Sequence, residues 1–179
     1  MKKILIGMSM LAALALTGCT KKTDAKVLKI GVIQLVEHPA LDSSYKGFVD
    51  GLAEAGFVDG KNIVIDYQNA QGEQANCVTI ANKLVNDKDD LILAIATPAA
   101  QAVANLTTEI PILVTAVTDP QSANLVKSNE KPDTNVSGTS DLTPVSAQIS
   151  LLKKIVPNAK TVGLMYCSSE QNSVFQIEI

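Results

Sequence analysis

The sequence predicts an α/β domain built on a parallel sheet. From Lys26 onward, short apolar runs alternate with amphipathic segments, the pattern of strands joined by crossover helices. Residues 90–96 (DLILAIA) form a continuous apolar run, as expected of a central parallel strand covered on both faces. At 179 residues and 46% hydrophobic, the chain is long enough and apolar enough to pack one core.

Each element follows from its own pattern. Residues 27–35 (VLKIGVIQL) are strand-like, and residues 42–55 carry Tyr45, Phe48, Val49 and Leu52 at i, i+3, i+4 and i+7, the stripe of a helix packed on a sheet. Gly56 follows as a C-terminal cap, Asp59-Gly60-Lys61-Asn62 is a turn, and Ile63 to Tyr67 is a second strand. Cys77, Val78, Ala81, Leu84 and Val85 give a second helical stripe before the apolar run at 90–96. A helix over 99–106, a strand over 112–117 and a short strand over 135–139 come next. Residues 144–156 are helical, with Val145, Gln148, Ile149, Leu152 and Ile155 on one side. Residues 161–166 (TVGLMY) predict a further strand, and an amphipathic helix starts at Glu170 and runs to Ile179 without a cap. That ending leads to the expectation of a fragment or a prematurely ended reading frame.

Composition excludes several function classes. The 15 cations are all Lys against 18 acids, a net charge of −3, and there is neither Arg nor Trp, which argues against nucleic-acid recognition. The three Cys, at 19, 77 and 167, match no zinc spacing and no disulfide scaffold, so no metal or other cofactor is expected. Cys77 falls on the apolar side of a predicted helix and reads as a buried free thiol, although a bridge to Cys167 is left open. No G-x-G-x-x-G, Walker loop or G-x-S-x-G elbow is present.

The first residues read as an address. Met1-Lys2-Lys3 precedes 13 uncharged residues, 4–16, too short an apolar stretch for a permanent span of about 20 residues. Leu16-Thr17-Gly18-Cys19 resembles the lipobox of bacterial lipoproteins, which implies a signal peptide over 1–18, acylation at Cys19 and a polar tether over 19–26. The protein is then expected on the outer face of the cytoplasmic membrane or in the periplasm, held by a lipid anchor.

In open parallel sheets ligands bind beyond the carboxyl ends of the strands. Those ends here are Gln34 to Pro39, Thr97-Pro98, Thr118-Asp119-Pro120 and Thr139 to Pro144. Thr or Asp followed by Pro is a helix-start signal, so Thr97-Pro98, Asp119-Pro120 and Thr143-Pro144 are expected to aim exposed N–H groups at one rim. Such ends hold a carboxylate without arginine. Asp119 reads either as a cap or as the acceptor of a ligand ammonium group, and Asp141 invites the same two readings. His38 sits in a loop, where it either meets a ligand or braces the turn. Asp87, Asp89 and Asp90 read as a solvated turn at the opposite end of the sheet, and Lys153-Lys154 as a wet helix face.

Several segments together resemble the substrate-binding lipoproteins of ABC transporters, of the type that binds tryptophan or related aromatic amino acids. They are Val36-Glu37-His38-Pro39-Ala40-Leu41-Asp42, Gly47-Phe48 to Gly60-Lys61-Asn62, Asn69-Ala70-Gln71-Gly72, Ala94 to Gln101, Ala116-Val117-Thr118-Asp119-Pro120 and Gly138-Thr139-Ser140-Asp141. The resemblance implies a type I periplasmic-binding-protein fold that closes on its ligand by a hinge. It implies a first lobe over 27–141, the start of a truncated second lobe over 142–179, and ABC permease subunits as partners. Residues 166–173 (YCSSEQNS) resemble the first ligand loop of the second lobe, with Cys167 where Asn is expected. On this pattern Gln34, His38, Thr97, Pro98, Thr118, Asp119, Ser140 and Asp141 contact an amino-acid ligand, joined by Tyr166 and Asn172. Half a clamp is expected to lack micromolar affinity. The competing readings are the same family with an aliphatic amino acid, a peptide or a nucleoside as ligand, and a secreted hydrolase using His38, Asp119 and a Ser or Thr.

Overall fold

A computed structural model describes residues 26–179. The signal peptide, the Cys19 lipidation site and nearly all of the tether expected from the sequence lie outside the described residues. Five parallel strands form one sheet in the order β2-β1-β3-β4-β5. They are β1 (Leu28–Gln34), β2 (Ile63–Asn69), β3 (Leu91–Ile95), β4 (Ile112–Val117) and β5 (Val136–Ser140). The helices are α1 (Pro39–Glu54), α2 (Gln74–Asn86), α3 (Thr97–Ala104), α4 (Val145–Ile155) and α5 (Gln171–Glu178). The α/β class and the parallel sheet expected from the sequence are therefore what the chain adopts. No described helix is long and apolar enough to cross a membrane.

Alternation along the strands builds two cores. Ile30, Val32, Ile63, Leu93 and Ile95 face α1, whose Leu41, Tyr45, Phe48 and Leu52 cover them. The Tyr45 ring lies against Tyr67, with centroids 4.6 Å apart. On the other face Ile33, Ile92, Ala94, Ile112, Val114 and Val136 pack against Cys77, Ala81 and Leu84 of α2 and against Ala99, Ala100 and Val103 of α3. Small residues on α3 let that helix lie close to the sheet. Cys77 is buried and unbridged, and burial pushes its thiol up; Cys167 is exposed and also free. Val78, assigned to the α2 stripe from the sequence, faces outward at 51% exposure.

The strand expected over 161–166 does not form. Val162, Leu164 and Met165 are exposed, and the segment joins no ladder. An apolar run becomes a strand only where a neighbour supplies backbone partners, and none of the described residues does so here.

Candidate functional site

The strand order reverses between β1 and β3, since β2 lies on one side of β1 and every later strand on the other. Such a switch point opens a crevice at the carboxyl ends of the strands. The register shows which residues border it. Gln34 pairs with Ile95, Ile95 with Thr115, and Val117 with Ser140, so Gln34 and Ser140, which end β1 and β5, and Thr97 and Thr118, which follow the ends of β3 and β4, lie along one edge of the sheet. Asp141 continues that edge, its N–H donating to the Val117 carbonyl at 3.0 Å.

Two backbone distortions shape the edge. Ala96 has φ 85° and ψ 151°, a conformation that is essentially glycine-only, and its N–H donates to the Thr115 carbonyl at 3.1 Å. Ala116 has φ 54° where the β4–β5 register shifts between Val114 and Val117. Strain of this kind, of order 1–3 kcal/mol per residue, concentrates where a chain must present groups to a ligand. Neither alanine is conspicuous in the sequence, because the usual signal for such a conformation is glycine.

The sharp turn at Ala96 changes the capping expected from sequence. Thr97 and Pro98 are the first two residues of α3, and Ala96, not Thr97, is the cap. The Thr97 hydroxyl is thereby released from capping; it is buried, at 2% residue exposure, and has no partner. Thr143 does not cap α4 either: Pro144 occupies the cap position, and the Thr143 hydroxyl donates to Oε1 of Gln176 at 3.5 Å. Asp119 does cap, though over a single turn. Its Oδ1 accepts from the Ser122 N–H at 2.6 Å, its Oδ2 from Nδ2 of Asn129 at 2.8 Å, and its carbonyl from the Ala123 N–H at 3.0 Å.

Burial pushes the Asp119 carboxyl up, but the hydrogen bonds from Ser122 and Asn129 more than offset it and hold the group below the usual Asp range. A depressed folded pKa contributes stability that is present above the unfolded value and lost as pH falls through the folded one. Asp119→Ala is expected to cost about 1 kcal/mol at pH 7, within the usual range for a lost cap. Urea unfolding at pH 7 and at pH 3 checks this; a cost that persists undiminished at pH 3 would contradict it.

The remaining candidates divide. Gln34 is fully buried, and its Nε2 donates to the Val36 carbonyl at 2.9 Å and to Oδ1 of Asp42 at 2.7 Å, which fixes the β1–α1 loop; its Oε1 is unpartnered. His38 is the cap of α1, its Nδ1 accepting from the Ala40 N–H at 3.2 Å. Ser140 donates to the Thr118 carbonyl at 2.6 Å and accepts from the Leu142 N–H at 3.2 Å, tying β5 to the end of β4. Tyr166 stands about half exposed, away from any ladder. Asn172 lies in α5, with a buried Oδ1 that has no partner.

Sequence reasoning overlooked how α5 meets the edge. Gln171 donates to the Ser122 carbonyl and accepts from Nε2 of Gln101 at 3.0 Å, and Nε2 of Gln176 reaches the Thr118 hydroxyl at 3.5 Å. The polar run at 168–173 is the only trace of this in the sequence, and a run of amides does not name its partners.

The family model for ABC transporter substrate-binding proteins matches residues 29–179. The chain belongs to that family. Among curated proteins, it is 50% identical over 191 residues to a tyrosine-binding protein of Clostridioides difficile strain R20291, covering 99% of this chain and 55% of that one. A solved Vibrio cholerae conserved domain protein superposes with TM-score 0.83 at 48% identity, over 86% of this chain and 52% of that one. A Streptococcus pneumoniae ABC domain in complex with L-Trp gives 0.81 at 48% identity, over 84% and 51%. A ligand-free, open substrate-binding protein with adhesive properties from Clostridium difficile gives 0.70 at 56% identity, over 85% and 52%. The chain thus spans about half the length of the relatives it matches. Its fold is that of the type I periplasmic binding proteins.

Proposed function

We propose that this chain is an extracytoplasmic lipoprotein, anchored through Cys19, that captures an amino acid for an ABC importer and hands it to the permease. An aromatic amino acid is the favoured ligand, and residues 27–141 form the ligand-binding lobe, with 142–179 opening the next. The protein does no covalent chemistry in this reading; it binds and releases. The observation that carries it is the pairing of two buried, unpartnered polar atoms, Gln34 Oε1 and Thr97 Oγ1, at one place on the sheet; among the described residues the others are Asn172 Oδ1 in α5 and Asp89 Oδ2 at the opposite end of the sheet. A buried polar atom left unpaired costs roughly 1–3 kcal/mol, so a fold retains one where something else completes it. Gln34 and Thr97 stand at the β1–β3 switch point, where a ligand is expected in this sheet order. The ligands for which those relatives are named or with which they were solved, tyrosine and L-Trp, point to the same ligand class.

The grip works without arginine. The ligand carboxylate meets the free N–H groups opening α3 and the Thr97 and Thr118 hydroxyls, and the ammonium group meets Asp119 or Asp141. Asp119 retains its charge throughout the neutral range, as an ammonium partner must. The test is a titration of isotopically labelled protein with L-tryptophan, followed by amide NMR. Shifts concentrated at Gln34, Thr97, Thr118 and Ser140, weaker with L-leucine and absent with D-glucose, are the expected result. No shift at those amides at the solubility limit of L-tryptophan would overturn the reading.

A further inference from the structure

We infer that Gln171 and Gln176 form a polar latch that holds residues 169–178 on the carboxyl edge of the sheet before any ligand arrives. Both ends of each amide are engaged. Gln171 donates to the Ser122 carbonyl and accepts from Gln101, whose Nε2 also donates to the Ala123 carbonyl at 3.0 Å. Gln176 donates to the Thr118 hydroxyl and accepts from that of Thr143, each at 3.5 Å. One more amide joins from the other side, Nε2 of Gln74 donating to the Ser169 carbonyl at 3.2 Å. The latch thus touches the ends of β4 and β5, the start of α2 and the middle of α3.

Its chemistry makes it reversible. No residue of α5 is fully buried, and its apolar Val174 and Phe175 are only half-buried, so no fully buried side chain anchors the helix. Uncharged amide hydrogen bonds contribute about 1 kcal/mol each, and water can replace every one. A contact of this strength both forms and opens at ambient temperature, which a covered binding edge requires. That the covered groups belong to a ligand site rests on the function proposed above; the latch itself does not.

Hydrogen exchange on the full 179-residue chain without ligand tests the latch. In the unaltered chain, amides of 171–178 should exchange at least tenfold slower than their unstructured rates. In the Q171A/Q176A double variant, exchange should rise about tenfold or more both there and in the 118–123 turn, with β1 unchanged. Alanine favours helix at least as well as glutamine, so a helix that merely persisted by itself would exchange more slowly in the variant, not faster. Unprotected amides at 171–178 in the unaltered chain, or unchanged exchange in the double variant, would overturn the inference. Because no ligand is present, such a failure leaves the ligand reading to the NMR titration.

Discussion

Gly138→Ala is expected to lower the unfolding free energy by about 2–4 kcal/mol and to loosen β5 from the sheet. Gly138 pairs with Val114 in the β4–β5 ladder and has φ 155°. A Cβ built there would stand 2.7 Å from the Val114 nitrogen and 2.8 Å from its carbonyl carbon, and closer still to its carbonyl oxygen. These are backbone atoms of a central strand, so no side chain can swing aside to make room. The chain can relieve the overlap only by moving β5, which is an edge strand with a neighbour on one side. Ser140 and Asp141 leave the carboxyl edge of the sheet with it, and the Ser140 bond to the Thr118 carbonyl is lost. Denaturant unfolding should show the lower midpoint, and amide exchange should rise over 136–140 while β1 and β3 stay protected. A variant with unchanged stability and an intact β5 would show that the close approach of these two strands is not required.

The glycine also illustrates what a sequence carries openly and what it hides. The parallel sheet was legible because β1 and β3 read as apolar runs and α1 and α2 repeat their apolar residues at helical spacing, and burial on both faces requires both patterns. The gathering of Gln34, Thr97, Thr118 and Ser140 at one edge of the sheet followed from chain order, since strand ends in a doubly wound sheet converge whatever the side chains. Its details did not follow. Thr97 reads as a cap because Thr-Pro precedes a helix, yet the structure sets Ala96 in a conformation that propensity forbids to alanine, and the cap moves back one residue. His38 and Asp119 are caps by geometry that their sequence neighbours only suggested. The strand expected at 161–166 failed for another reason: hydrophobic pattern records an appetite for burial, not the presence of a partner. Gln171 and Gln176 were invisible because amide pairing across 49 and 58 positions leaves no local signature.

The same gap between local pattern and packing appears at the opposite end of the sheet, where the acidic turn before β3 looked solvated. Asp87 is exposed, but Asp89 is buried at 6% exposure, with Oδ2 unpartnered. Gly31 of β1 makes the room: a Cβ there would overlap that oxygen and stand 3.1 Å from both Leu84 methyl carbons. Gly31→Ala is therefore expected to cost about 1–3 kcal/mol by overpacking. This differs from Gly138 in that the obstructing atom is the end of a side chain. Removing it should rescue the variant, so Gly31→Ala combined with Asp89→Ala should cost at least 0.5 kcal/mol less than the sum of the two changes, roughly the smallest coupling that contacting residues show. Burial, followed by the charges of Asp66 and Asp87, pushes the Asp89 carboxyl up, against the pull of Lys83 and Lys29. A raised folded pKa in an acid gives stability that is present below the unfolded value, near pH 4, and is lost as pH rises through the folded value. Asp89→Asn should accordingly gain about 1 kcal/mol over the unaltered chain at pH 8 and lose that gain by pH 4. Urea unfolding across that range reads both effects. Strict additivity of Gly31→Ala and Asp89→Ala would separate the two residues, and a gain in Asp89→Asn that is independent of pH would remove the charge from the explanation and leave only shape.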